Sequence, residues 1–407
     1  MNTCDTAWML ISTALVLLMT PALAFFYGGM VRKKNVLSTI MMSFGILCLV
    51  SVLWVIYGYT LSFGPDYGGL IGNLDWFGLL GVGQSPSSVY ATTVPHLAFM
   101  AYQATFAIIA VALWTGAAVE RIKFNSLLVF AALWFTLVYC PVAHWIWGSG
   151  GWLARLGALD FAGCTVVHVN AGISALALAL VLGTRKGFAE KETMEPNNIP
   201  FVILGAGLLW FGWFGFNAGS ALSAGGLASS AFIATNTAAA AAGFTWMILG
   251  WIHRRPSALG AATGAVVGLV AITPAAGFVP VWAGLPIGAI ASIISYYVMV
   301  WRAKSNKLDE SLDVFACHGM GGTWGAVATG IFATSSVNAS GSGLLDGNWQ
   351  QLLVQITAIL VTMAYAFVLT WILAQAVRLT MGLRVKHEEE AVGLDISQHG
   401  ETAYGGI

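Results

Sequence analysis

Two histidines lie well inside long apolar stretches of this sequence, where an ionisable side chain is costly. His168 follows Asp160 in the stretch DFAGCTVVHVNAG, and His318 follows Asp313 in the stretch DVFACHG. Because titratable groups at membrane depth usually mark an ion or proton pathway, the pair predicts a functional site. Two neutral histidines bonded to the backbone of a packed core are the simpler alternative. A metal or enzyme site is disfavoured, because no third ligand, paired carboxylate or nucleophile lies at the same depth.

The composition is that of an integral membrane protein. Of 407 residues, 58% are hydrophobic and 8% are charged, and the mean hydropathy is +0.80, whereas soluble domains carry about 25% charged residues. The 17 basic and 17 acidic residues balance, so nothing predicts a nucleic-acid partner, and we predict no cofactor. Five scattered cysteines form no metal-binding pattern and are interpreted as small core residues: Cys4, Cys48, Cys140, Cys164 and Cys317. The N-terminus lacks the basic region of a signal peptide, so the first apolar segment is expected to be retained.

Eleven apolar segments are long enough to cross a bilayer, which requires about 20 residues in a helix. They lie near residues 6–30, 36–61, 94–118, 125–147, 162–182, 199–222, 229–252, 257–273, 277–301, 308–334 and 349–379. The sequence therefore predicts an all-α transmembrane domain over 1–379. Its first five helices fall within 6–182, its next five within 199–334 and the last over 349–379. Residues 380–407 form a predicted cytoplasmic tail.

The basic residues set the predicted orientation of the chain. Sixteen of the seventeen lysines and arginines fall in the tail or in one set of alternate loops, and Arg155 falls in the other set. Since positive charge collects on the cytoplasmic side, the N-terminus is predicted to lie outside and the C-terminus inside. That arrangement requires an odd number of spans, which favours eleven.

The two histidine segments open the fifth and the tenth predicted helices. An odd number of helices in the first set makes the second set enter from the opposite side, which is the pattern of an inverted 5+5 repeat with a site between its halves. The eleventh helix is left over and is expected to lie tilted against the bundle. To place His318 deep, the tenth helix is expected to begin at Leu308. Asn306 would then lie near its cap, and Asp309 and Glu310 in its first turn.

Seven motifs spread over nearly the whole chain carry a resemblance to a known family. They are FFYGGM at 25–30, ERI at 120–122, AHWIWG at 143–148, the two histidine segments, WFGFNAGS at 213–220 and GLDISQHGE at 393–401. Together they resemble the ammonium transporter (Amt/Mep/Rh) family, most closely its prokaryotic Amt members. The resemblance implies a homotrimer with one pore per subunit, located in the cell inner (plasma) membrane.

In this family the residues that match His168 and His318 lie side by side in a narrow pore. Two imidazoles in contact can share one proton, so the pair titrates as a unit. Apolar surroundings disfavour the charged form of an amine, which favours ammonia as the species that crosses. The resemblance therefore implies recruitment of NH4+, its deprotonation and conduction of NH3, with or without separate proton transfer. The alternative is that the pair merely holds the shape of the pore.

The resemblance also implies an outer recruitment site. Trp147, Phe106 and Ser220 match the residues of that site, where aromatic faces and a hydroxyl can bind a cation. Phe106 and Phe216 match two stacked rings that close the pore beneath it. Without the resemblance, both phenylalanines would be interpreted as core or lipid-facing residues.

Three further residues and the partners complete what the resemblance implies. Asp160 is expected to accept backbone N–H bonds near the recruitment site, and Trp213 and Thr273 match positions near the pore.

The implied partners are ammonium, the other subunits, the membrane and, in many prokaryotic members, a trimeric PII signalling protein on the cytoplasmic face; passage of methylammonium is left open. An ammonium sensor on the same fold is the alternative. Sensors usually carry an added signalling domain, so the 28 residues after Leu379 favour transport.

Overall fold

The computed structural model describes residues 1–305 and 307–405, which form a bundle of long helices. The helices of the bundle are α1 (Thr3–Met30), α2 (Lys33–Phe63), α3 (His96–Ala117), α4 (Phe124–Leu156), α5 (Cys164–Leu182), α6 (Ile199–Ala221), α7 (Gly226–His253), α8 (Ala258–Ile272), α9 (Val281–Ala303), α10 (Phe315–Met320, continued by Gly321–Phe332) and α11 (Trp349–Thr380). Within the described residues nine helices are long and apolar enough to cross a membrane, and α8 and α10 are not among them. The protein is therefore a multi-pass membrane protein, while the count of eleven spans and the sidedness of the termini stay predictions.

The helices differ in how much of their apolar surface other helices cover. In the most apolar eighteen residues of α5, 89% are buried, and in α3 the share is 83%. In α11 the share is 28%, although that helix is just as apolar. A helix that is apolar all round is buried in protein or faces lipid. Hence α3 and α5 lie at the centre of the bundle and α11 lies at its periphery.

The two histidine helices, α5 and α10, approach each other through glycine. Gly172 of α5 lies directly against the backbone of Gly319 in α10, and a Cβ atom at position 172 would overlap the nitrogen and Cα of Gly319. Small residues at such crossings allow close packing of helices in a membrane, where no hydrophobic force drives their association. This contact brings the two histidine-bearing turns together.

The expectation that the tenth helix begins at Leu308 is wrong, because α10 begins only at Phe315. Residues 308–313 are not helical, and Asp313 has a left-handed backbone with φ of 57°. The carboxylate of Asp309 accepts hydrogen bonds from Arg185 rather than lying in a first helical turn. Asn306, the expected cap, lies outside the described residues.

Each histidine lies on a wide π-helical turn that opens its helix, Cys164–Val169 in α5 and Phe315–Met320 in α10. In α5 the carboxylate of Asp160, eight residues before the histidine, accepts N–H bonds from the start of the helix. In α10 the residue at the same spacing is Glu310, and its carboxylate accepts the N–H of Phe315 at 3.2 Å. By spacing and by this hydrogen bond, Glu310 is the counterpart of Asp160, although the sequence motif that contains His318 begins at Asp313.

Short strands and the tail cover the two ends of the bundle. The long loop between α2 and α3 forms two antiparallel hairpins, β1 (Asp66–Tyr67) with β2 (Ile71–Gly72) and β3 (Pro86–Ser87) with β4 (Ala91–Pro95). The tail contains two short helical segments, α12 (His387–Val392) and α13 (Asp395–His399). It packs against the loops of its own chain, and we call this end of the bundle the tail face.

Candidate functional site

His168 and His318 are in direct contact at the centre of the bundle. Their Nδ1 atoms lie 3.2 Å apart, and the rings are nearly parallel, with centroids 5.2 Å apart and planes inclined by 26°. Both side chains are buried, and His168 Nε2 has no hydrogen-bond partner within the described residues. Because a hydrogen bond between two ring nitrogens needs one donor and one acceptor, one of the two Nδ1 atoms carries the hydrogen. The arrangement can share a proton between the rings.

Trp213 and Thr273 hold the ring of His168 in place from the side. The indole of Trp213 stacks on His168 with the centroids 5.3 Å apart and the planes inclined by 21°. Trp213 Nε1 donates to Thr273 Oγ1 at 2.8 Å, and that hydroxyl donates to the carbonyl of Leu269 at 2.7 Å. Thr273 therefore acts on the histidine pair through Trp213, by fixing the plane of its indole.

Aromatic rings form a continuous column from His168 toward one end of the bundle. Phe216 lies 5.9 Å from His168 between centroids, and Phe106 lies 4.2 Å from Phe216. The edge of Phe106 meets Trp147 at 5.7 Å, with planes inclined by 87°. Phe106 and Phe216 are both buried. The column is apolar along its length, and we call its outer end the Trp147 face.

Trp147 and Ser220 lie half-buried at the outer end of this column. Trp147 Nε1 donates to the carbonyl of Asp160 at 2.9 Å, which uses the edge of the indole and leaves its face for other contacts. Ser220 Oγ lies 2.9 Å from the carbonyl of Phe216, an acceptor, and can donate its hydrogen there. Its oxygen then retains lone pairs that can accept a hydrogen bond from a cation.

Tyr102 belongs to this outer group, although the sequence analysis did not single it out. Its hydroxyl lies 3.2 Å from Ser220 Oγ and within 2.8 and 2.9 Å of the carbonyls of Gly215 and Phe216. These carbonyls lie near the end of α6, and that of Gly215 also accepts the N–H of Gly219. The spacing of four residues from Phe106 on α3 was the available signal, because it places both rings on one helix face.

Asp160 lies beneath Trp147 and is almost entirely bonded to the backbone. Its two carboxylate oxygens accept four N–H groups at 2.7 to 3.2 Å, from residues 163 to 166. A carboxylate with four such donors is satisfied, so its oxygens are not available as direct ligands for a cation. It fixes the start of α5, and with it the turn that carries His168.

A cavity of about 900 Å³ leads from the tail face to the other side of His318. Tyr27, Cys317 and His318 line it, as do three basic side chains near its mouth, Arg254, Arg255 and Lys304. The histidine pair thus separates an apolar column on the Trp147 face from a cavity on the tail face whose lining is largely apolar and whose mouth carries basic side chains. We call this cavity the vestibule.

A buried chain of ion pairs lies beside the vestibule and joins distant parts of the sequence. Glu120 pairs with Arg32 and Arg185, each at 2.9 Å, and Arg185 pairs with Asp309 at 2.8 Å. Burial alone would raise the pKa of Glu120, but the guanidinium groups of Arg185 and Arg32 outweigh it and lower the pKa to about 2. Glu120 is recognisable in the sequence only as part of a motif, whereas the network, which fixes the segment before α10, depends on residues far apart in the chain.

No metal centre is formed by the residues described. Across 1–305 and 307–405, no three side chains of histidine, cysteine, aspartate or glutamate lie close enough to hold a metal ion. The histidine pair has aromatic neighbours instead, Trp213 and Phe216. Its chemistry is therefore that of imidazole nitrogens in an apolar setting.

Comparison with known proteins relates the whole chain to one family. It is 52% identical to ammonium transporter Amt1 of Archaeoglobus fulgidus over 400 residues, 98% of this chain and 99% of that protein. A solved structure of Mep2 from Candida albicans matches with a TM-score of 0.91 at 36% identity, over 99% of this chain and 91% of that one. A solved sensor Amt protein matches with a TM-score of 0.90 at 30% identity, over 97% of this chain and 98% of that one. The family model described as the Ammonium Transporter Family matches residues 7–404, and the chain belongs to that family.

Proposed function

We propose that this protein transports ammonium by binding NH4+ at Trp147 and conducting NH3 past the histidine pair. The observation that carries the proposal is the contact of two buried imidazoles at the end of an apolar aromatic column. Relatives that match nearly all of this chain are named ammonium transporters, which favours a transporter over an enzyme.

The first step is recruitment of the cation at the Trp147 face. The faces of Trp147 and Phe106 attract a cation by about 0.5–2 kcal/mol, more when water is excluded. The hydroxyl of Ser220 accepts one hydrogen bond, since its own hydrogen is directed at the carbonyl of Phe216. Together these contacts replace part of the hydration shell of ammonium without fixing it permanently.

The second step is loss of a proton before the column is crossed. The side chains between Trp147 and His168 are phenyl rings, which offer an intact cation no hydrogen-bond acceptors. Apolar surroundings lower the basicity of an amine by up to about 3–5 pKa units at full burial. Ammonium therefore gives up its proton to solvent water at the Trp147 face, and neutral ammonia crosses at low cost. The shared hydrogen of His168 and His318 offers a separate route by which the proton can follow.

A sensor of ammonium is the second candidate function, because a sensor Amt protein has the same fold. A sensor needs the recruitment site but little passage through the column. The two functions differ in flux, which is measurable on the purified protein.

The deciding experiment is transport in liposomes that contain only this protein. Ammonium, and separately potassium, is added outside while internal pH and membrane current are followed. We expect ammonium to produce a flux well above that of empty liposomes and potassium to produce none, because potassium has no proton to release. Binding of ammonium without flux would favour the sensor, and a potassium flux equal to that of ammonium would exclude the deprotonation mechanism.

We also propose the assembly and location that accompany this function. The protein is a homotrimer with one pathway per subunit in the plasma membrane, and its tail face docks a trimeric PII signalling protein. The support is membership of the family and a tail that packs closely on that face. Mass measurement in mild detergent tests the trimer, and finding monomers or dimers alone would exclude it. Co-purification with the PII protein of the same host tests the docking.

A further inference from the structure

The two ends of the proposed pathway carry opposite charge. At the Trp147 face, Asp5 bonds to the loop that follows Ser220, and Asp66 pairs with His144 three residues before Trp147. The outer loops contain a single basic residue, Arg155, against several carboxylates. A cation that approaches this end therefore meets a surface of favourable sign.

The vestibule at the other end is lined by positive charge. Arg254, Arg255 and Lys304 are exposed at its wall, and none of them has an ion-pair partner among residues 1–305 and 307–405. Among the described residues, the one carboxylate that lines the vestibule is that of Asp313, and Arg302 Nε donates to it at 2.6 Å. With that carboxylate neutralised, three positive charges remain around the cavity that ends at His318.

We infer that Arg254, Arg255 and Lys304 make the apparent affinity for ammonium lower at the vestibule than at the Trp147 face, because they lower the concentration of ammonium in the vestibule. Positive potential in a cleft repels a cation but has no such effect on neutral ammonia. Ammonia that has passed the histidine pair can leave through the vestibule freely. Ammonium on the tail face, by contrast, is repelled from the vestibule, whereas ammonium on the opposite face is not repelled from Trp147. The inference rests on the proposed ammonium transport and adds a direction-dependent affinity to it. The equilibrium distribution of ammonium is unchanged, because only the concentration needed for half-maximal flux differs between the faces.

The salt dependence of ammonium affinity distinguishes this role from a role in orienting the protein during membrane insertion. Basic residues at a helix end also orient a membrane protein during insertion, and that role is complete once the protein is folded. Repulsion of ammonium by exposed charges continues in the folded protein and weakens as salt shortens the Debye length from about 30 Å at 0.01 M to below 10 Å. A half-saturating concentration that rises at low salt at the vestibule face, and not at the Trp147 face, is therefore the signature of the inferred role.

The experiment measures uptake of labelled methylammonium, together with competition by ammonium, in liposomes of known protein orientation. Flux into the pathway is initiated from each face at about 10 mM and about 300 mM salt. For the wild-type protein we expect the half-saturating concentration at the vestibule face to be about threefold higher at low salt than at high salt. At the Trp147 face we expect no such rise.

Charge-neutralising variants assign the effect to named residues. In Arg254→Gln/Arg255→Gln the half-saturating concentration at the vestibule face should lose most of its salt dependence, and adding Lys304→Gln should remove the remainder. Lys191→Gln/Arg378→Gln is the matched control, because it removes two exposed charges that do not line the vestibule. Arg254→Lys/Arg255→Lys keeps the charge and should behave as the wild type.

Three outcomes are informative, and they separate the inference from the function on which it rests. A wild-type vestibule affinity that does not change with salt overturns the inference without any variant. An equal loss of salt dependence in the control pair overturns the assignment to Arg254 and Arg255. Absence of ammonium and methylammonium flux from both faces in the wild type overturns the proposed transport itself.

Discussion

Trp147 and Ser220 each offer a cation one weak contact at the outer end of the aromatic column. Replacing Trp147 by leucine, or Ser220 by alanine, should cost about 1 kcal/mol, or roughly fivefold in the half-saturating ammonium concentration. The maximal flux should change little, because the histidine pair is untouched. Uptake of labelled methylammonium against concentration measures both quantities. Trp251→Leu is the control, since that indole is 60% exposed and is not one of the rings of the column. Complete loss of uptake in a folded Ser220→Ala protein would show that the recruitment site is misassigned.

The side chains at positions 168 and 318 should determine whether neutral ammonia or an intact cation crosses. His168→Asp or His318→Glu places a carboxylate in the narrow part of the pathway, where it can stabilise an intact cation. We expect these variants to carry a potassium current that the wild-type protein lacks. Currents across bilayers containing each purified variant provide the measurement. His168→Asn, similar in size to the aspartate variant but neutral, should carry no potassium, and a potassium current in that variant would contradict the electrostatic explanation.

Sequence reasoning reached the main residues of the site but not the way they are held. His168, His318 and Trp147 lie in motifs that are recognisable in one dimension. Tyr102 and the bond from Trp213 to Thr273 are different, because each depends on contacts between helices far apart in the chain. The spacing of Tyr102 from Phe106 places both rings on one face of α3, but the contacts that Tyr102 makes with α6 leave no local pattern.

At the scale of helices, most spans were predictable and the start of α10 was not. Long apolar runs predict α1 to α9 within a few residues, including the separation of α8 from α9 near residue 275; the exception is α4, whose predicted end at 147 leaves out the short helical segment Trp152–Leu156. The run before α10 contains helix-start signals at Asp309 and Glu310, yet the helix begins at Phe315. Arg185, 124 residues away, binds Asp309 and holds this segment in a non-helical conformation. A local signal cannot compete with a buried ion pair that the sequence does not reveal.

That ion-pair network should stabilise the tail face of the bundle. Glu120 is buried between two guanidinium groups, and Glu120→Gln leaves their charge partly unpaired. Breaking a buried pair in this way costs about 3–5 kcal/mol, so we expect a lower midpoint of thermal unfolding. Tryptophan fluorescence of the detergent-solubilised protein at neutral pH measures the change. Glu388→Gln, at an exposed position, should leave the midpoint unchanged.

The same network predicts how stability depends on pH. The pKa of Glu120 is about 2 in the folded protein and 4.5 in an unperturbed glutamate, so the folded state holds this carboxylate in its charged form. The contribution of this carboxylate to the free energy of unfolding is therefore complete above pH 4.5 and is lost as the pH falls toward 2. The difference in unfolding midpoint between the wild type and Glu120→Gln should shrink over that range. A difference that stays constant from pH 7 to pH 3 would contradict this assignment.

At the scale of the whole molecule, the tail connects loops that belong to different helices. Asp395 accepts the N–H of Ser38 at 2.8 Å, and Glu390 binds both Arg384 at 2.7 Å and the N–H of Lys186 at 2.6 Å. These contacts join the start of α2 to the loop after α5, next to the vestibule. The tail is therefore placed to bias the packing of the helices that surround the pathway.

Truncation after Leu383 should leave a folded trimer in the membrane with an ammonium flux at least fivefold lower, which corresponds to about 1 kcal/mol in the balance between two packings. Uptake in liposomes and mass in mild detergent test the two parts of this prediction. Ile396→Ser in the full-length chain is the control, because that side chain is 54% exposed. Full flux in the truncated protein would remove the regulatory role of the tail and leave the pathway assignment intact.

The contact between His168 and His318 also has a consequence for how the protein is made. The two residues are 150 positions apart, so ribosomes that add about 5–20 residues per second deliver the second one about 8–30 s after the first. During that interval α5 is already in the membrane with an imidazole that has no partner, and the bare backbone at Gly172 has no helix against it. Biogenesis of the site therefore passes through an intermediate that contains His168 without His318. A nascent chain that stalls between the two histidines presents this unpaired polar group to the quality-control proteases of the membrane.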